Sequence, residues 1–187
     1  MKDMERSLSR TEWREAATGG LYAGLASALL TIAAHAGRSM PGLVTILNAV
    51  SFFSFAGFLY FYARRMAAYA GGDGFSYGRS LLFVLKMSLF AGVLAGVGQF
   101  VLVNWIDPEG FREQFDLMVA NMAGGGMGEK EAEMAGSLGL KLMRNPLFAV
   151  FSGIFSMLIY GGLLGLLISI FVVRRPADPF GGGTSAE

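Results

Sequence analysis

Ser27, Thr31 and His35 follow one another at intervals of three or four residues, and Ser152, Ser156 and Tyr160 repeat that spacing farther along the chain. On a helix such spacing puts the polar groups on one face. Together with Asn48, Ser51 and Gln99 they form a set of uncharged hydrogen-bonding groups inside otherwise apolar runs. That is the chemistry of a lined solute path, with His35 as the member whose residue type titrates near neutral pH. The plainer reading, which the spacing supports better, is that such hydroxyls bond their own backbone or a neighbouring helix. Lys86 stands apart as the charge set deepest in an apolar run. It lies six residues beyond Ser80, about 9 Å in at the helical rise, within reach of headgroups for its long stem. No acid falls inside any of the apolar runs to pair with it. Ion and proton relays generally use an intramembrane carboxylate, so this weighs against a coupled transporter.

Other chemistry is thinly supported. Glu109, Glu113 and Asp116 have helical spacing but no histidine companions, so a solvated acidic face outweighs a metal site. With no cysteine and one histidine, thiolate, disulfide and clustered-ligand chemistry are excluded. There is no Ser, His and Asp set, no HExxH and no CxxC, and "GGDGFSYGRS" lacks the GK[ST] ending of a phosphate loop. The expectation is a non-enzymatic protein without cofactor or metal. A near-balance of 15 basic and 14 acidic residues gives no long-range field for nucleic acid.

The elements that must position these groups are membrane helices. At 53% apolar residues and 27 glycines in 187, the composition is too apolar for an ordinary soluble domain. Four runs, 17–36, 43–63, 81–106 and 147–173, approach or exceed the roughly 20 residues needed to cross a ~30 Å hydrocarbon layer. The expected fold is all-α: a polytopic protein with four transmembrane helices and an extramembrane amphipathic helical hairpin, 107–146, between the third and fourth. Residues 1–16 read as a cytoplasmic N-terminal segment, 17–175 as the membrane domain and 176–187 as a disordered tail. "GRSMPG", 37–42, is short enough to force spans one and two into an antiparallel pair. Gly71, Gly72 and Gly74 end the second helix, and Ser76 or Ser80 caps the next. "AHA" at Ala34 to Ala36 resembles a signal-peptidase site, but the long preceding segment mixes four acids with four bases, which argues against cleavage.

An even number of spans puts both termini and the second loop on one side. Nine basic residues fall there against five on the other, so the positive-inside rule predicts cytoplasmic termini. Trp13 and Trp105 fall at opposite faces, as interfacial anchors do. Asp107, Pro108 and Glu109 supply a cap, a fixed first residue and an acid at the positive dipole end. Phe111, Phe115, Met118 and Met122 then recur as one apolar stripe, the partner-docking candidates, ended by "GGGMG". A second helix spans 129–143. Because the polar face of this hairpin is acidic, docking a protein or capping the bundle is preferred over lying free on lipid.

Gly20 and Gly24, Gly92 and Gly96, and Gly161 and Gly165 are small-xxx-small pairs in spans one, three and four, spaced for close helix packing. Packing within the chain is preferred to a dimer seam.

The combination of "FSYGRS" before span three, "IDPEGF" after it, an acidic methionine-rich hairpin and a glycine-rich last span closed by "RR" resembles the bacterial four-span membrane proteins grouped as domain of unknown function 4199. Ser76, Tyr77, Gly78 and Arg79 carry the motif, and the likeness covers most of 66–175. Spans one and two match in kind, and this chain is richer in alanine and glycine than typical members. The resemblance implies a bacterial inner-membrane helical protein and no activity. The leading functional expectation is an accessory or assembly subunit docking a protein partner through the hairpin, with the bilayer and a partner or second copy as contacts. The alternative is a small transporter or channel along spans one and four.

Overall fold

The computed structural model describes residues 2–70, 74–126 and 128–173, with side chains from Leu8 onward. Among these residues there is no β-strand. The helices are α1 (Lys2–Ala36), α2 (Pro41–Ala70), α3 (Tyr77–Val101), α4 (Pro108–Gly124), α5 (Glu129–Met143) and α6 (Pro146–Val172), and α3 runs on through a π-helical turn, Leu102–Ile106. The expected tail, 176–187, lies outside the described residues, as do Arg174 and Arg175.

Local chemistry accounts for the boundaries. Gly74 adopts a left-handed φ of 75°, open to glycine without strain, and the Ser76 hydroxyl accepts from the Arg79 N–H at 3.4 Å to start α3. Ser80, the other expected cap, is instead fully buried one turn in, its hydroxyl without a partner among the described residues. Asn145 caps α6, its Oδ1 accepting from the N–H groups of Leu147 at 2.9 Å and Phe148 at 3.3 Å, with Pro146 in the first helical position, where its missing donor costs nothing.

Among the described residues, four segments are long and apolar enough to cross a membrane: Leu8–Ala36, Pro41–Ala70, Tyr77–Ile106 and Pro146–Val172. Large apolar side chains face outward along them, among them Phe53, Phe151, Phe155 and Phe171. In water that would be prohibitive, whereas lipid is as apolar as the core. α3 is the axis of the bundle, packed between α1 and α6, while α2 lies against α1 and touches α6.

Backbone proximity explains the glycines. A methyl group at Gly24 would lie 2.6 Å from the Ala91 carbonyl oxygen, and one at Gly20 would lie 2.6 Å from Phe90 Cβ, so α1 and α3 run parallel in close contact. Gly96 meets Val150 Cα at 2.6 Å by the same measure, and Gly92 meets Gly153 O at 2.9 Å. Gly161 faces Ser88, and Gly165 comes within 3.1 Å of Val84, completing an antiparallel α3–α6 seam. All six glycines of the three spaced pairs are therefore occupied inside one chain.

The bundle is closed at one end and open at the other. Phe55, Leu59, Met66, Phe75, Phe83 and Met87 form a dense core away from the α4–α5 end, joined by Ile168 and Val172. By contrast, no residue from Pro41 to Ser54 is buried, so the first half of α2 leaves a gap on its inner side.

α1 also corrects the reading of Lys86. The helix does not begin at Ala17 but continues unbroken from Lys2, bringing Glu12 and Glu15, 7% and 6% exposed, into the bundle. Lys86 Nζ donates to Glu12 Oε1 at 2.6 Å rather than reaching for headgroups alone. Its ammonium also lies 4.8 Å from the Trp13 ring centre, a cation–π contact. Arg79 approaches the other Glu12 oxygen at 3.5 Å, and Arg65 approaches Glu15 at 3.4 Å. The acid that sequence reasoning found missing comes from the segment assigned outside the span.

Candidate functional site

Two features meet at the open end: a clasp that anchors the α4–α5 pair and a polar cleft beneath it. The clasp begins at the π turn. Its wider hydrogen bond, Asp107 N–H to Leu102 O at 3.0 Å, ends α3 and turns the chain. Asp107 then caps α4, its Oδ1 accepting from Gly110 N–H at 3.0 Å. Its other oxygen meets His35 Nε2 at 2.7 Å and pairs with Arg38 Nη1. Since an ionised carboxylate only accepts, the shared proton belongs to His35 Nε2. The His35 hydrogen bond and the Gly110 N–H hold the Asp107 carboxyl below the usual carboxylate range, outweighing desolvation, and Arg38 adds to the effect. Phe111 stacks on the His35 ring, centroids 5.1 Å apart and planes 13° from parallel. Gly110 leaves room for this arrangement, because a methyl group there would overlap the Arg38 guanidinium and the Asp107 carboxylate.

The apolar stripe of α4 is thus divided. Phe111 is committed to His35, and Phe115 packs toward α5, where a methyl group at Gly139 would lie 2.8 Å from its Cε1. Val119 fills the space left by Gly136, so α4 and α5 run antiparallel. Met122 is half-buried, and Met118 is exposed. Among the described residues, the large exposed apolar side chains of the pair are Leu117, Met118, Met134, Leu138 and Leu142, only one of which belongs to the expected docking set.

The cleft gathers the uncharged polar residues. One lobe, a cavity of about 270 Å³, is lined by Ser27, Asn48, Ser51, Phe52, Phe55, Met157 and Tyr160. A second, about 280 Å³, is lined by Thr31, Gln99, Met143, Ala149, Ser152 and Ser156, and also by Met157. All four spans contribute, including α2 and α3, which the two-span path left out. Thr31 donates to the Ser27 carbonyl at 2.8 Å, the ordinary back-bond of a helical hydroxyl. The side chains of Ser27, Asn48, Ser51, Gln99, Ser152, Ser156 and Tyr160 make no hydrogen bond to any described residue. Ser27 is the telling case, lining the lobe while only 4% exposed. His35 is not in this lining. It belongs to the clasp, and Lys86 to the charged set at the far end.

These helices define a multi-pass membrane protein of four spans. The chain belongs to the family described as "Protein of unknown function (DUF4199)", whose profile matches residues 18–174. No curated protein and no solved structure matches it significantly.

Proposed function

We propose that the protein is a non-enzymatic membrane protein that binds a small molecule in the two-lobed cleft, with the α4–α5 pair as its cap. The supporting observation is the convergence of seven unpartnered polar side chains, one of them nearly buried, on adjoining cavities. Unsatisfied polar groups in an apolar medium are costly, so a bound molecule or water completes them. The dense core from Phe55 to Met87 blocks continuation toward the other end, which argues for a binding site or one state of a carrier over an open channel. In this reading the hairpin lies outside the hydrocarbon of a bacterial inner membrane and both termini are cytoplasmic, in keeping with nine basic residues against five. Glu12 and His35 are 23 positions apart on α1, about 34 Å at the helical rise, so the two charged clusters bracket one hydrocarbon thickness.

The absence of cysteine provides the test. Single variants Ser152→Cys and Ser156→Cys react with a membrane-impermeant thiol reagent added from the hairpin side, whereas Phe171→Cys on the outer face does not. If Ser152→Cys and Ser156→Cys both stay unreactive in a folded protein, the cleft is overturned.

A second reading, an accessory subunit docking a protein partner, draws on exposed Leu117, Met118, Met134 and Leu138. It predicts a stoichiometric second protein on mild purification from the native host, lost when Leu117 and Met134 are made polar. Retention by that variant removes it.

A further inference from the structure

We infer that the cleft takes an uncharged amphiphile whose compact head carries hydrogen-bond acceptors, entering sideways from the bilayer with its tail left between α2 and α6. This rests on the cleft reading and names its ligand class.

Charge is the first constraint. Among the described residues, no lysine, arginine, aspartate, glutamate or histidine lines either lobe, so an ionic head would be desolvated without a counter-charge. The second is hydrogen-bonding type. Asn48 and Gln99 offer amide N–H and C=O groups, and Tyr160 and the unpaired serines offer hydroxyls that donate and accept, a set that a head carrying carbonyl and hydroxyl oxygens satisfies. The third is size. Each lobe falls just short of the smallest usual ligand pocket, and they adjoin at Met157, a side chain flexible enough to let one molecule bridge both. Access is the fourth. Asn48, Phe52 and Tyr160 are exposed on the bundle surface, and the first half of α2 buries nothing. The lobe beside it therefore opens to lipid, with aromatic rings at the rim suited to a hydrocarbon chain. Ester-headed glycerides and isoprenoid quinones share this chemistry.

The test uses the variants Ser51→Cys and Ser156→Cys, one in each lobe, in phosphatidylcholine nanodiscs with N-ethylmaleimide as the reagent. Dioctanoylglycerol or decylubiquinone slows labelling of both at least about fivefold, and the more effective of the two identifies the head group. Dioctanoyl phosphatidate, with the same tails and a charged head, does not. Adding Gln99→Leu or Tyr160→Phe raises the protecting concentration about three- to tenfold, the effect of one lost hydrogen bond. Equal protection by phosphatidate, or equal protection of the outward-facing Phe171→Cys, overturns the proposal. Reactive cysteines that neither neutral probe protects overturn the ligand class and leave the cleft standing, whereas cysteines that never react in a folded variant overturn both.

Discussion

His35, in the last turn of α1, and Asp107, the cap of α4, are joined at 2.7 Å across 72 positions of sequence. The contact roots the α4–α5 pair on α1 as well as on the chain that leads into it. Asp107→Ala removes the cap and the clasp together. Hydrogen exchange at the Gly110 and Phe111 amides is then expected to rise about tenfold or more, with α6 unaffected. Asp107→Asn retains an acceptor for the cap and gives a smaller change. Unchanged exchange in the alanine variant would show that the clasp does not hold α4.

Acid should release the same contact. The Asp107 carboxyl is held below its ordinary value in the folded protein. Its contribution to stability is therefore fully present above the unfolded value of about 3.9 and is lost as pH falls through the lower folded one. Limited proteolysis between α3 and α4 should accelerate as pH drops below about 4, and Asp107→Asn should flatten that part of the profile. A profile identical in both proteins would assign the acid response to other groups.

Glu12 and Lys86 make a different kind of pair, because Glu12 is buried and the Lys86 side chain is 26% exposed. Removing one partner strands the other, so Lys86→Met and Glu12→Gln are each expected to cost about 2–4 kcal/mol in detergent unfolding. The double variant should recover much of the loss. Arg79, also near Glu12, limits the damage of Lys86→Met. Additive losses would show that the pair is not coupled.

Glycines separate by position. Gly96→Ala drives a methyl group into the α6 backbone at Val150 and should cost about 1–3 kcal/mol. Gly57→Ala has open space around it and should stabilise α2 by about 0.5–1 kcal/mol through backbone entropy. Melting temperatures in one detergent compare them. A neutral Gly96→Ala would mean that α3 and α6 can separate without loss.

The hairpin shows how far sequence reaches and where it stops. The cap at Asp107, the glycine end of α4 and the α5 range of 129–143 were all legible, because capping and helical periodicity act within a few residues. Which side of α4 is free was not. Phe111 and Phe115 look like a docking face until His35 and Gly139, far away in sequence, are found against them. Lys86 failed for a related reason: the span was measured by hydropathy, whereas the helix continues through the charged residues that precede it.

By itself the sequence determined four apolar helices, the Asp107 cap that follows the third, the close-packing glycines and the uncharged polar residues among them. Those properties depend on composition and short-range spacing, which lipid and the backbone read directly. Only the tertiary structure decided that Gly92 and Gly96 meet α6, that Glu12 answers Lys86, that His35 leaves the polar set to clasp Asp107, and that Asn48 and Gln99 join lobes meeting at Met157. Each of those outcomes depends on how four helices rotate and slide against one another, and spacing along a single helix carries no record of what lies opposite.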